Sequence, residues 1–296
     1  MQYEVAGQIS PEGLAAVTLF GATRPFTAWA EADEDGRFRF KKIEPGSYTL
    51  AVMVAGLGEA RRTIEVGPST ADGKRRVWLD LRFTGGDFVL DEATRRHAVT
   101  ATQLAIPDKA VRHYADARKA LSRHDAEAAI RSLEHAIELA PDFAAAWNEL
   151  GTIAYQTQRF ERAAECFRRA LAADPGAYEP LVNLGGVLIS LHRLEEALDH
   201  NVRAVVLRPN DPLANSQLGL TYFEIGDYDL ALKHLARAVS LDPAHFSHPQ
   251  LVMAEIHLRR NDRRAAAADL ENFLQHHPDW PRAAKMREQI AQWRNE

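Results

Sequence analysis

Four prolines, Pro141, Pro175, Pro209 and Pro243, stand 34, 34 and 34 residues apart. A fixed period of this length means that one short supersecondary unit is copied along the chain. A unit of that size cannot bury its own apolar face, so the copies must stack. The register extends beyond the prolines. An alanine precedes each of them by five residues (Ala136, Ala170, Ala204, Ala238), and another precedes that alanine by seven (Ala129, Ala163, Ala197, Ala231). A glycine recurs as Gly151, Gly185 and Gly219, and the clearest copy reads Trp147, Leu150, Gly151 and Ala154, spacings of 3, 4 and 7 that fall on one helical face.

Each unit is therefore predicted to be a helix of about 14 residues, a short turn, a second helix and a proline that stops it. The turns fall at Gln158-Arg159 or Gly226-Asp227. Small residues let the paired helices approach. Leu150, Phe160 and Phe167 in one unit, Leu184 and Leu194 in the next, and Leu218, Tyr222, Tyr228 and Leu235 in the one after fill the space beside them.

The pattern W-x-x-L-G at Trp147 to Gly151, followed by A-x-x-x-F-x-x-A from Ala163 to Ala170 and by Pro175, resembles the tetratricopeptide repeat family. The resemblance covers residues 109–280 and implies an all-α superhelix of five units, 110–143, 144–177, 178–211, 212–245 and 247–280. The fifth is shifted because Pro278 lies 35 residues after Pro243, which places one inserted residue near Phe246. Residues 281–296 are expected to add a capping helix, with Ala284, Met286, Ile290 and Trp293 covering the last unit. Two departures stand out. Asp116 takes a family leucine position in the first unit, where an end unit has a wetter face. Asn201 stands where other units carry Leu133, Phe167 and Leu235, and a polar group there needs a partner or water, hence either local loosening or a specific hydrogen bond.

Before residue 85 the periodicity switches to alternation broken by glycine, proline and aspartate, the mark of short strands. Seven are expected, Glu4–Ile9, Ala16–Phe20, Phe26–Ala32, Arg37–Ile43, Ser47–Val54, Arg61–Val66 and Val77–Phe83, and seven short strands suggest a sandwich. Phe38, Phe40, Tyr48, Leu50 and Val52 are read on one side, with turns at Asp35-Gly36 and Pro45-Gly46. The run from Asp33 to Leu50 (DEDGRFRFKKIEPGSYTL), with Gly7-Gln8-Ile9 and Ala16 to Leu19, resembles the carboxypeptidase regulatory-like (transthyretin-like) domain. That resemblance implies an accessory β-sandwich over residues 1–85 without a peptidase domain. Residues 86–108 are a linker or one more strand, with alternation at Ala98 to Ile106. The expected fold class is thus multidomain, an all-β sandwich followed by an all-α superhelix.

Composition narrows the function. With 36 Lys and Arg against 41 Asp and Glu the net charge is −5, which repels a phosphate backbone, so nucleic acid is not an expected partner. The single cysteine, Cys166, cannot form an internal disulfide and is read as a packed core residue. No apolar run reaches the ~18 residues of a membrane span, and the opening MQYEVAGQIS lacks the basic and apolar regions of a signal peptide. The pairing of the two modules resembles exported or envelope proteins of bacteria and implies a periplasmic or exported location, with the cytoplasm as the alternative.

No phosphate-binding glycine loop or nucleophile elbow occurs, so neither catalysis nor a cofactor is expected. His135 and Glu138 have H-x-x-E spacing without a third ligand. His245, His248, His276 and His277 are read as surface or capping residues, so no metal site is expected. What remains is a surface. In the resembled family the first helix of each unit lines a concave groove that holds a peptide or a partner protein. The matching positions are Tyr114, Arg118 and Leu121; Asn148, Thr152, Tyr155 and Gln156; Val182, Asn183, Gly186 and Ile189; and Ser216, Gln217, Leu220, Phe223 and Glu224. Asn183 and Gln217 occupy equivalent places, where groove amides hold a ligand backbone or simply solvate their helices. The family's carboxylate clamp needs lysine and arginine where this chain has Asn148, Leu213 and Gln217, so chaperone-tail recognition is not expected. Alternatives are carbohydrate binding or anchoring through Trp29 or Trp78 of the sandwich, if they are exposed rather than packed, and an accessory role in an enzyme complex.

Overall fold

The computed structural model describes residues 1–10, 12–89 and 105–295. Seven strands come first: β1 Tyr3–Ser10, β2 Ala15–Gly21, β3 Thr27–Ala32, β4 Arg37–Ile43, β5 Gly46–Val54, β6 Gly58–Val66 and β7 Arg76–Arg82. They form a three-stranded sheet in the order β4-β1-β7 and a four-stranded sheet in the order β3-β2-β5-β6. β1 runs antiparallel to β4 and parallel to β7. Alternation buries one face of each sheet: Val5, Ile9, Phe38, Phe40 and Val77 in the first, and Val17, Leu19, Tyr48, Leu50 and Val52 in the second. Phe38 and Phe40 thus lie in a different sheet from Tyr48, Leu50 and Val52. The Pro45-Gly46 link does not close a hairpin but carries the chain from one sheet to the other. It is held by Arg24, whose Nη2 donates to the Pro45 carbonyl at 2.6 Å, and by the Tyr48 hydroxyl, which donates to the Glu44 carbonyl at 2.8 Å. Most of the candidate strand Ala98–Ile106 lies outside the described residues.

Eleven helices follow among the described residues: α1 Asp108–Leu121, α2 Ala126–Leu139, α3 Ala144–Gln156, α4 Phe160–Ala173, α5 Tyr178–Ser190, α6 Leu194–Leu207, α7 Pro212–Ile225, α8 Tyr228–Leu241, α9 Pro249–Arg259, α10 Arg263–His276 and α11 Ala283–Asn295. The turn inside each pair is one device made five times. The fifteenth residue of the unit is left-handed: His124 (φ 59°), Gln158 (60°), His192 (55°), Gly226 (94°) and Asn261 (59°). The next residue's N–H reaches back to a carbonyl of the finished helix, as in Asp125 to Ala120 at 3.0 Å, Arg159 to Ala154 at 2.8 Å and Asp262 to His257 at 2.8 Å. Asp125, Asp227 and Asp262 then cap the second helix, accepting from Ala128, Leu230 and Ala265.

The recurrent glycine is explained by packing. A Cβ at Gly151 would lie 2.7 Å from the Phe167 ring, and one at Gly219 would lie 2.7 Å from Leu235 Cγ. A large second-helix residue thus rests on a bare stretch of the first helix. In the third unit Asn201, 0% exposed, rests on Gly185 in the same way. Its Nδ2 donates to Thr221 Oγ1 at 2.9 Å, and that hydroxyl donates to the Gln217 carbonyl at 2.8 Å. The specific hydrogen bond is therefore the outcome at Asn201. Its Oδ1 has no partner among the described residues.

A second recurring bond joins successive units. The carbonyl of the terminating proline accepts from the fourth residue of the next unit: Trp147 Nε1 to Pro141 at 2.7 Å, Asn215 Nδ2 to Pro209 at 3.0 Å and Gln250 Nε2 to Pro243 at 2.7 Å. At the last helix Ile290 and Ala283 are buried, with Met286 and Trp293 against them. Ala284 is exposed, one residue out of phase with the expected capping face.

These elements form two compact units. One is Met1–Arg62 with Ala71–Pro180, and the other is Thr63–Thr70 with Leu181–Glu296.

Candidate partner-binding surface

In the first unit α1 and α3 carry the expected surface residues. Tyr114 packs against Phe143 with ring centroids 5.2 Å apart, and burial pushes its phenol up to about 12, aided by Glu149. Leu121 is buried in the same core. Tyr155 is 40% exposed and lies beside Phe160. Thr152 Oγ1 donates to the Asn148 carbonyl one turn back, so that hydroxyl is turned onto its own helix. Arg118 and Gln156 are half-buried, and both reach the β strands: the Arg118 guanidinium lies 5.7 Å from the Trp29 ring centroid, and Gln156 Nε2 donates to the Gly21 carbonyl at 2.8 Å. Burial raises the Glu149 carboxyl above the usual range, and Arg118 opposes that rise.

In the second unit Val182, Gly186, Ile189 and Ser216 are buried and withdrawn from the surface. Asn183, Gln217, Leu220 and Phe223 are half-buried, and Glu224 is exposed. Gln217 lies across Gly186, and a Cβ there would touch its side-chain amide. The Arg259 guanidinium sits 4.9 Å over Phe223 and donates to Tyr228 Oη at 2.7 Å. The surface is thus mixed: aromatic rings, neutral amides and one stacked cation.

The histidines differ from expectation. His245 and His277 are 2% and 4% exposed, not surface residues, while His248 caps α9 in the left-handed region at φ 52°. His248 packs against Phe273, His277 and Trp280. His245 Nδ1 meets Ser247 Oγ at 2.6 Å, and His277 Nδ1 meets Glu65 Oε1 at 3.1 Å. Burial, then the neighbouring imidazoles, lower His245 to about 3 and His248 to about 4. Among the described residues no group of three or more His, Cys, Asp or Glu side chains is placed to hold a metal ion. No helix there is long and apolar enough to cross a membrane. Trp29 and Trp78 are each 56% exposed, so neither is packed away.

Sequence reasoning missed Gly21, Phe26 and His124, which bring the β strands to α1 and α3. Their partners lie about a hundred residues away in the chain, and no periodicity reports such a pairing.

Comparisons with known proteins agree with this architecture. Tetratricopeptide repeat family models match residues 114–178 and 212–245, and the model of polysaccharide lyase family 4, domain II, matches residues 7–72. The peroxisomal targeting signal receptor of Candida albicans is 24% identical over 243 residues, 81% of this chain and 40% of that protein. Its counterpart in Eremothecium gossypii is 35% identical over 92 residues, 31% of this chain and 16% of that protein. The chain thus spans well under half the length of these relatives. MamA from Desulfovibrio magneticus RS-1 superposes with a TM-score of 0.53 at 21% identity, over 60% of this chain and 99% of that one. PilF of Pseudomonas aeruginosa gives 0.51 at 22%, over 63% and 89%. At such identity the likeness concerns the fold. The helical part of this chain is built of tetratricopeptide repeats, and a seven-stranded, fibronectin type III-like β domain precedes it.

Proposed function

We propose that this protein is a non-catalytic scaffold whose repeats bind a protein or peptide through the groove-lining residues of their first helices. The observation that carries the reading is the character of those positions. In the first unit Tyr155 presents aromatic surface and Gln156 a neutral amide; in the second Phe223 is the aromatic and Asn183 and Gln217 are the amides. Aromatic anchors supply binding energy at low entropic cost, and amides hold a ligand backbone irrespective of its sequence. Relatives named as receptors of a peroxisomal targeting signal support a peptide as the kind of ligand. Stacked repeats also hold such residues on rigid helices, which suits recognition better than mobile loops do.

The test compares wild type with the combined Asn148→Ala, Tyr155→Ala, Phe223→Ala variant as bait in extract from the source organism, with circular dichroism to confirm that the helices persist. A protein retained by wild type and lost by the variant supports the reading. Equal retention by both overturns it.

A further inference from the structure

Within the first unit the groove positions already have an occupant. Gln156, thirteenth in its repeat, donates to the Gly21 carbonyl at 2.8 Å. Arg118, ninth in its repeat, lies over Trp29 at 5.7 Å. His124, at the left-handed tip of the α1–α2 turn, stacks on Phe26 with centroids 4.6 Å apart and planes 20° apart. Glu179, second in its repeat, meets Arg61 Nη2 at 3.4 Å. Three of these four contacts come from the β2–β3 hairpin, and two of them are aromatic side chains three residues apart on one extended stretch.

We propose that this stretch, Gly21 through Trp29, is the resident ligand of the first two repeats, and that the surface takes from a partner an extended segment with the same two aromatic groups. This rests on the groove reading given above and specifies its ligand. The chemistry divides the work. A hydrogen bond to a main-chain carbonyl accepts any sequence, so selectivity falls to the guanidinium, which lies over the Trp29 ring, and to the imidazole, which stacks on Phe26. Phe26 also belongs to the sandwich, where it meets Tyr48 edge-on at 5.6 Å and is 5% exposed. Trp29 has no such second role among its described contacts and is 56% exposed, so it exchanges without dismantling the β core. None of the four contacts is a buried aliphatic interface. Carbonyl hydrogen bonds, exposed cation–π stacks and surface ion pairs are the contacts that an incoming segment replaces in kind.

The probe is a fluorescein-labelled peptide of residues 21–33 (GATRPFTAWAEAD), titrated by anisotropy against the full chain. Three forms are compared: wild type, the loosened Trp29→Ala, Arg61→Ala variant, and that variant carrying Arg118→Ala and Gln156→Ala as well. The peptide is expected to bind the loosened chain at least tenfold more tightly than wild type, and to lose that gain when Arg118 and Gln156 are removed. A peptide with both aromatics changed to alanine should bind none of the three. Equal binding to wild type and to the loosened chain, including binding to neither, overturns the proposal. A thermal melt checks each variant, and Trp29→Gln alone replaces the loosened form if it is unfolded. If the peptide test fails while partner capture remains sensitive to the groove substitutions, only the resident ligand falls. If capture is insensitive, the groove itself falls.

Discussion

Replacing Asn201 by leucine should stabilise the protein although it deletes a hydrogen bond. Asn201 is fully buried, and only half of its amide is used: Nδ2 reaches Thr221, while Oδ1 has no partner among the described residues. A buried unpartnered oxygen costs about 1–3 kcal/mol, whereas the bond to Thr221 contributes about 1 kcal/mol net. Thr221 is not stranded by the change, because its hydroxyl still donates to the Gln217 carbonyl. Leucine at this place is already accommodated in this chain, since Leu235 rests on Gly219 as Asn201 rests on Gly185. Leucine would also bury more apolar surface, worth about 1 kcal/mol beyond asparagine after some crowding. The balance favours leucine by about 1–3 kcal/mol, which raises the melting temperature by about 2–12 °C. Differential scanning calorimetry of Asn201→Leu measures it. A double-mutant cycle with Thr221→Val assigns the cause, for the Thr221 change should cost about 1 kcal/mol less once Asn201 is gone. A lower melting temperature for a correctly folded Asn201→Leu would refute the reasoning, because it would mean that the amide is fully satisfied.

Two further outcomes follow from burial. His245 and His248 are neutral in the fold, held near 3 and 4, but titrate near 6.5 once unfolded, so the unfolded chain takes up more protons as pH falls. Their stabilising contribution is complete above about pH 6.5 and is lost progressively below it. The urea midpoint should therefore drop between about pH 7 and about pH 4.5, less steeply in His248→Asn, which tolerates the left-handed backbone; equal slopes would dismiss the pair as the cause. Burial lifts the Cys166 thiol to about 11 and leaves it 0% exposed. A thiol reagent should accordingly react slowly with the native protein and quickly in urea; rapid native labelling would show that α4 opens.

Repeats were legible because they are local. The 34-residue spacing marks where α2, α4, α6 and α8 end, and each glycine could be read as a close approach before its neighbour was known. Strands were legible from alternation, down to the residues that face inward. Which sheet a strand joins was not: β4 and β5 adjoin in sequence yet pair elsewhere, because pairing is decided by partners far along the chain. The surface was legible only as positions. Val182, Ile189 and Ser216 have the correct spacing but are buried, and Arg118 and Gln156 are engaged by Trp29 and Gly21, contacts that span 89 and 135 residues of sequence. The turns at Gln158-Arg159 and Gly226-Asp227 were legible as turns, but the left-handed backbone at most of the tips was not. Four of the five, His124, Gln158, His192 and Asn261, are not glycine, so no glycine announced their backbone.

The bond from the fourth residue of a unit to the preceding proline carbonyl has a consequence for how such chains diverge. An indole, a short amide and a longer amide all make it, in Trp147, Asn215 and Gln250. The join asks for a donor at a place and is indifferent to the letter that supplies it. Recognisability and architecture can therefore drift apart. In the third unit Leu181 has no donor to offer and Asn201 replaces an apolar residue. The helices there have the same lengths and the same turn as their neighbours. Spelling has changed in the third unit while its grammar has not.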